Sequence, residues 1–228
     1  MIRLISFCLI GLLSLQISQV QANQVQARLL LPTTAVVPGE TLWFALSLQI
    51  KPGWHTYWKN PGSTGLPPTL QLGDINQNYT PKLFFPVAKT NSFGGDASLL
   101  TYGYTDAVVH PFQLQVPMAI EGQWVLEGEA RWLVCEVICI PESQVVRLSL
   151  PVISQDKGSR HSQSAEIIDI ARSRVPTEFP GHITFHGPDK LWVSGLNNEI
   201  VKDVMPESVG EVLGIVLDSK PLQDGLLI

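Results

Sequence analysis

The sequence predicts an all-β chain: an immunoglobulin-like antiparallel β-sandwich, followed by a short helix and a small, incomplete β segment. Three observations predict it. Short runs with period-2 hydrophobicity recur from Gln26 to Val152. The 18 Gly and 17 Pro residues are spread between those runs as turn signals. A hydrophobic content of 45% is enough for a packed core.

The first element is an export signal. Arg3 supplies the positive start, Leu4 to Leu15 an apolar stretch, and Val20-Gln-Ala22 a cleavage site. The stretch is short against the about 20 apolar residues that a membrane helix needs. Residues 1–22 therefore read as a signal peptide, the mature chain starts near Asn23, and Cys8 is lost. The destination is an oxidising space in which disulfides persist, and the short signal suits a periplasm.

The strands follow. Thr41 to Ile50 places Leu42, Phe44, Leu46, Leu48 and Ile50 on one face, so it reads as a half-buried strand after the Pro38-Gly39 turn. His55 to Trp58 is a second, short strand, and Asn60 to Pro68 is a loop rich in Pro and Gly. Pro81 to Pro86 and Ala107 to Pro117 add further strands. Trp124 to Trp132 and Gln144 to Leu150 flank a cysteine pair. After Pro151 the chain turns polar, and Ser154 to Ser162 reads as a linker. Ser164 to Arg174 suits a helix, with Ser164 as cap, Glu166 and Asp169 early, Arg172 and Arg174 late, and Pro176 as stop. His182 to Phe185 and Val212 to Leu217 are strand-like. The expected organisation is a signal peptide at 1–22, the sandwich at 23–152, linker and helix at 153–176, and a partial second β unit at 177–228.

Only 15% of residues are charged and the net charge is -5. Without a basic patch, nucleic acid is excluded as a partner. The chemistry centres on Cys135 and Cys139, within Arg131-Trp-Leu-Val-Cys-Glu-Val-Ile-Cys-Ile-Pro-Glu142. Three readings are open: a redox-active disulfide, a structural disulfide, or half of a metal site. A straight strand would hold the two residues about 13 Å apart, whereas a disulfide needs Cα atoms within about 7 Å. If they bond, Glu136 to Ile138 must form a tight bend. Val137 and Ile138 are poor turn residues, and two apolar side chains at a bend suit a docking surface. A bridge closing so short a loop adds little stability. Both points favour a reactive pair. A metal site needs three or four ligands, and the five histidines are scattered.

The run Leu133-Val-Cys-Glu-Val-Ile-Cys-Ile-Pro-Glu142 resembles the cysteine motif of the N-terminal periplasmic domain of DsbD-like thiol:disulfide interchange proteins, nearest to the copper-sensitivity suppressor ScsB branch. Pro52-Gly-Trp-His-Thr-Tyr-Trp-Lys-Asn-Pro-Gly62, Gly65-Leu-Pro-Pro68 and Tyr102-Gly-Tyr104 fit as well. The resemblance covers Gln26 to Val152. DsbD itself spaces its two cysteines more widely.

The resemblance implies an immunoglobulin-like redox module with Cys135 and Cys139 as catalytic residues and no cofactor. It implies a thioredoxin-like reductant and oxidised periplasmic proteins as partners, with a membrane electron-transfer domain supplied elsewhere. It also implies a cap loop over the cysteines, placed by position at Lys89 to Tyr104 with Phe93 as the shielding aromatic; an ordinary hairpin fits that stretch equally. A non-enzymatic binding or adaptor sandwich with a structural disulfide is the competing reading. Which cysteine is attacked first stays open. Trp54, Tyr57 and Trp58 read as core, and His55 as a surface or hydrogen-bonding residue. Glu136 and Glu142 flank the thiols, and Arg131 offsets them if it reaches Cys135.

Overall fold

The run Thr41–Ile50 forms the long strand β2, which pairs antiparallel with β1 (Val25–Leu30) and β8 (Ala107–Gln115). A computed structural model of the chain describes residues 23–74, 78–92, 100–154, 161–176, 182–185, 191–194, 220–222 and 225–227. A second sheet has the order β10 (Cys139–Pro151), β9 (Gln123–Cys135), β4 (Thr69–Gly73), β5 (Asn78–Tyr79). A third joins β3 (Thr56–Gly62), β7 (Leu100–Tyr104) and β6 (Lys89–Ser92). Every pairing between these strands is antiparallel.

The even-numbered side chains of β2 enter one core with Trp124 and Leu126 from β9 and Phe112 from β8. Phe44 stacks on Phe112 at 5.9 Å and meets Trp124 edge-on at 6.0 Å. The buried Trp124 indole donates to Asp74 Oδ2 at 3.1 Å, which satisfies its polar edge.

The second face of β2 differs from the half-buried expectation. Ala45 and Ser47 are buried too. The reason is α1 (Ala165–Ser173), which seats Ile168 against Ala45 and Leu30, with Trp43 and Val109 beside them. Arg172 lies over the Trp43 ring at 4.4 Å. Backbone bonds from Ser162 N to Pro32 O and from Val87 N to Arg174 O clamp the ends of this segment. Ser164 occupies the cap position, but its side chain makes no capping bond. The Ser162 hydroxyl accepts from Ser164 N instead.

Two further expectations are corrected. Pro81 to Pro86 forms no strand. Prolines at both ends cannot donate to a ladder, and the segment is tied to β8 through Phe84 N to Pro111 O. The segment read as a loop from Asn60 is strand as far as Gly62, with an irregular register between Tyr57 and Gly62. Beyond the helix a separate sheet has the order β11 (His182–Phe185), β12 (Leu191–Ser194), β14 (Gly225–Leu227), β13 (Lys220–Leu222). The proposed signal segment and the run from Val212 to Leu217 lie outside the described residues. Among the described residues no helix is long and apolar enough to cross a membrane.

Candidate functional site

Strands β9 and β10 form one hairpin with an unbroken register from Gln123 opposite Pro151 to Cys135 opposite Cys139. The ladder therefore ends at the cysteines, and Glu136, Val137 and Ile138 make the turn. Directly opposed residues in an antiparallel pair share a face, which brings the two sulfurs together. They form a disulfide, S–S 2.03 Å, across a Cα separation of 4.1 Å.

The two cysteines are presented differently. Cys135 is wholly buried, while Cys139 is exposed. Cys135 is held on both sides of its strand. Its N–H donates to His55 O and its carbonyl accepts from His55 N, at 3.0 and 2.9 Å. At the tip, Val137 is 81% exposed and Ile138 66%. A groove of about 550 Å³ lies along the hairpin below the tip, lined by Leu66, Pro67, Trp132, Leu133, Pro141 and Glu142.

Tyr57 lies against the bridge. Its hydroxyl donates to Cys135 Sγ at 2.8 Å and stands 3.6 Å from Cys139 Sγ. The ring is fully buried, and burial pushes the phenol pKa up. His55 meets the ring edge-on at 5.2 Å, and burial holds the imidazole pKa below its usual value. Gly65 covers the other side. A Cβ there would sit 2.3 Å from the Tyr57 ring, and φ is +118°. Only glycine meets both demands.

The aromatic motif thus divides. Trp58 joins the core, as expected, and Trp54 packs against it. Tyr57, which the sequence also places in the core, is buried, but its hydroxyl lies against the cysteine bridge. Aromatic content alone does not distinguish the two. Spacing offers one signal: Tyr57 lies two residues beyond His55, on the same face of the extended chain as the residue paired with Cys135.

The charged neighbours are arranged otherwise than the sequence suggests. Arg131 does not reach Cys135; it pairs with Glu129 at 2.6 Å on the exposed face. The arginine holds the Glu129 carboxyl below its usual pKa. Glu142 accepts from Gln24 N, Val25 N and the Trp132 indole at 2.8, 3.2 and 3.2 Å, which ties β1 to the hairpin. Glu136 stays at the tip, facing Gly53. Lys89–Ser92 and Leu100–Tyr104 pair as a hairpin, while Phe93 lies outside the described residues. Among the described residues no three His, Cys, Asp or Glu side chains gather as a metal site.

Comparison with known proteins agrees with this geometry. The family profile "Thiol:disulfide interchange protein DsbD, N-terminal" matches residues 26–151. No curated protein sequence matches the chain. Among solved structures, the N-terminal periplasmic domain of ScsB from Proteus mirabilis is similar, with 20% identity and a TM-score of 0.50. That match covers 75% of this chain, and the chain spans 61% of the ScsB domain's length. A DUF4466 family protein from Parabacteroides merdae is 9% identical, with a TM-score of 0.25 and 75% and 66% of the two chains covered; it carries no argument. The ScsB likeness is one of fold, the immunoglobulin-like β-sandwich. Since the profile spans more than half of the chain, the chain belongs to the DsbD N-terminal family, as a thiol:disulfide interchange module.

Proposed function

We propose that this chain is a periplasmic module that relays reducing equivalents through Cys135 and Cys139, from a thioredoxin-like reductant to oxidised periplasmic proteins. One observation carries the reading: the bridge closes a hairpin tip with Cys139 exposed, Cys135 buried and two apolar side chains projecting beside them. A staple is a poor account of the same geometry. Closing so short a loop is worth only about 2 kcal/mol in the chain-entropy picture. The ladder below the cysteines already holds the hairpin.

The more exposed residue of the pair, Cys139, sets the order of events. A thiolate of the reductant attacks Cys139 Sγ. A sulfur–sulfur bond forms to Cys139, the Cys135–Cys139 bond breaks, and its electron pair leaves on Cys135 Sγ as a thiolate. The reductant's second thiolate then attacks its own sulfur in the mixed disulfide. Cys139 is released, the pair is reduced and the reductant is oxidised. Toward a client the steps reverse: Cys139 attacks the client disulfide, and Cys135 resolves the mixed disulfide and restores the bridge. No cofactor takes part. The groove beside Leu133 and Pro141, with Val137 and Ile138, is the docking surface. Electrons enter from a membrane electron-transfer domain, and residues 1–22 serve as the export signal.

Trapping tests this order. Cys135→Ser, with Cys139 first converted to its mixed disulfide with thionitrobenzoate, should exchange with the single thiol of a thioredoxin-like protein that lacks its resolving cysteine, releasing thionitrobenzoate and leaving a stable mixed disulfide. Cys139→Ser, converted likewise at Cys135, should form it far more slowly. Equal trapping by both would contradict the order, and trapping by neither would contradict the relay.

A further inference from the structure

Where buried or partly buried tyrosine hydroxyls elsewhere in the sandwich have a described partner, it is oxygen. Tyr104 donates to Pro86 O at 2.7 Å and Tyr79 to Asp74 Oδ2 at 2.8 Å. Tyr57 instead directs its hydroxyl at a disulfide sulfur. A neutral disulfide sulfur is a weak acceptor, and a buried hydroxyl with a weak partner costs free energy. That arrangement becomes favourable once the sulfur carries charge.

We propose that Tyr57 is a catalytic residue of the exchange reaction: its hydroxyl donates a hydrogen bond to Cys135 Sγ as that sulfur departs as a thiolate. The proposal rests on the exchange reading above. When the reductant's thiolate bonds to Cys139, the electron pair of the broken bond settles on Cys135. That sulfur is wholly buried, so solvent does not stabilise the charge. A hydrogen bond to an ionised acceptor is about twice as strong as a neutral one. Tyr57 therefore stabilises the departing thiolate more than the intact bridge, and only such a difference lowers a barrier. The phenol proton stays on the Tyr57 oxygen throughout. The raised phenol pKa agrees, because the group remains a donor at neutral pH.

The donor is held in place. Tyr57 pairs with Gly103 across β3 and β7, and Gly103 has no room for a Cβ, which would lie 2.1 Å from Thr56 O. Gly65 closes on one side of the ring and His55 stands at its edge. The hydroxyl is pre-positioned, with little reorganisation left for the moment of reaction.

The test compares wild type, Tyr57→Phe and a protein carrying 3-fluorotyrosine at position 57. Dithiothreitol is the reductant for rates, and glutathione sets the equilibrium. Tyr57→Phe should keep its melting temperature, because the ring still fills its slot. Its reduction should slow by roughly tenfold or more, and the equilibrium should move toward the disulfide by a similar factor, as for one hydrogen bond to a charged group. The fluorinated phenol is a stronger donor of the same shape, so it should react faster than wild type. A Tyr57→Phe protein with wild-type rate and equilibrium would overturn the proposal. If that variant fails to fold, an unchanged rate with 3-fluorotyrosine would overturn it. A wild-type bridge that neither dithiothreitol nor a thioredoxin-like protein reduces would defeat the exchange reading itself, a different result from a reducible bridge indifferent to Tyr57.

Discussion

Tyr57 and His110 show how burial sets a side chain's role in this fold. Tyr57 is buried beside sulfur and keeps its proton. His110 is buried on β8 between Phe85, at 4.8 Å, and Tyr104, at 5.4 Å. Burial lowers the His110 pKa from 6.5 to about 4, partly offset by the Phe84 backbone. The unfolded chain then takes up a proton below pH 6.5 that the folded chain refuses until about pH 4. Stability should be independent of this group above pH 7 and fall as pH drops through that window, by roughly 3 kcal/mol in all. Urea denaturation at pH 7 and pH 5 measures it. His110→Leu should flatten the slope between those values, and an equal slope in the variant would contradict the assignment. Neither residue's role was legible in the sequence beforehand. The bridge between Cys135 and Cys139 was legible, because their spacing allows one only across a bend. Tyr57 was not, because an aromatic residue in a strand packs into the core more often than against a disulfide. Arg131 failed as a neighbour of Cys135 because four residues of strand span about 13 Å.

At the scale of elements, the β9–β10 hairpin carries the cysteine pair and the proposed function. Its register brings Cys135 opposite Cys139, and its tip leaves Val137 and Ile138 in solvent. Changing both tip residues to Asp should slow exchange with a thioredoxin-like partner about tenfold or more, as for loss of an apolar anchor. The same change should scarcely alter the rate with dithiothreitol, which needs no docking surface. An equal loss with both reductants would place the defect in the bridge rather than in docking. The strands of this hairpin were legible because their alternation matches a half-solvated sheet. Pro81 to Pro86 was misleading because apolar alternation between prolines lacks the donors a ladder requires. β2 was legible as a strand but not as one buried on both sides, because the helix that covers its outer face lies more than 100 residues away.

At the scale of the molecule, three sheets and a docked helix hold a buried sulfur at one end of the sandwich. The antiparallel fold followed from short alternating runs and turn residues. The seating of α1 on β2 and β8 did not, because long-range packing leaves no local pattern. We propose Cys135–Cys139 as a working disulfide rather than a staple. Its reduction potential in glutathione buffers separates the two, since structural bridges in exported proteins have potentials below about -300 mV. A working bridge should have a midpoint above that value, reached reversibly, with the sandwich still folded in the reduced form. A bridge that stays oxidised at glutathione ratios corresponding to -300 mV, or a chain that unfolds once it is reduced, would contradict it.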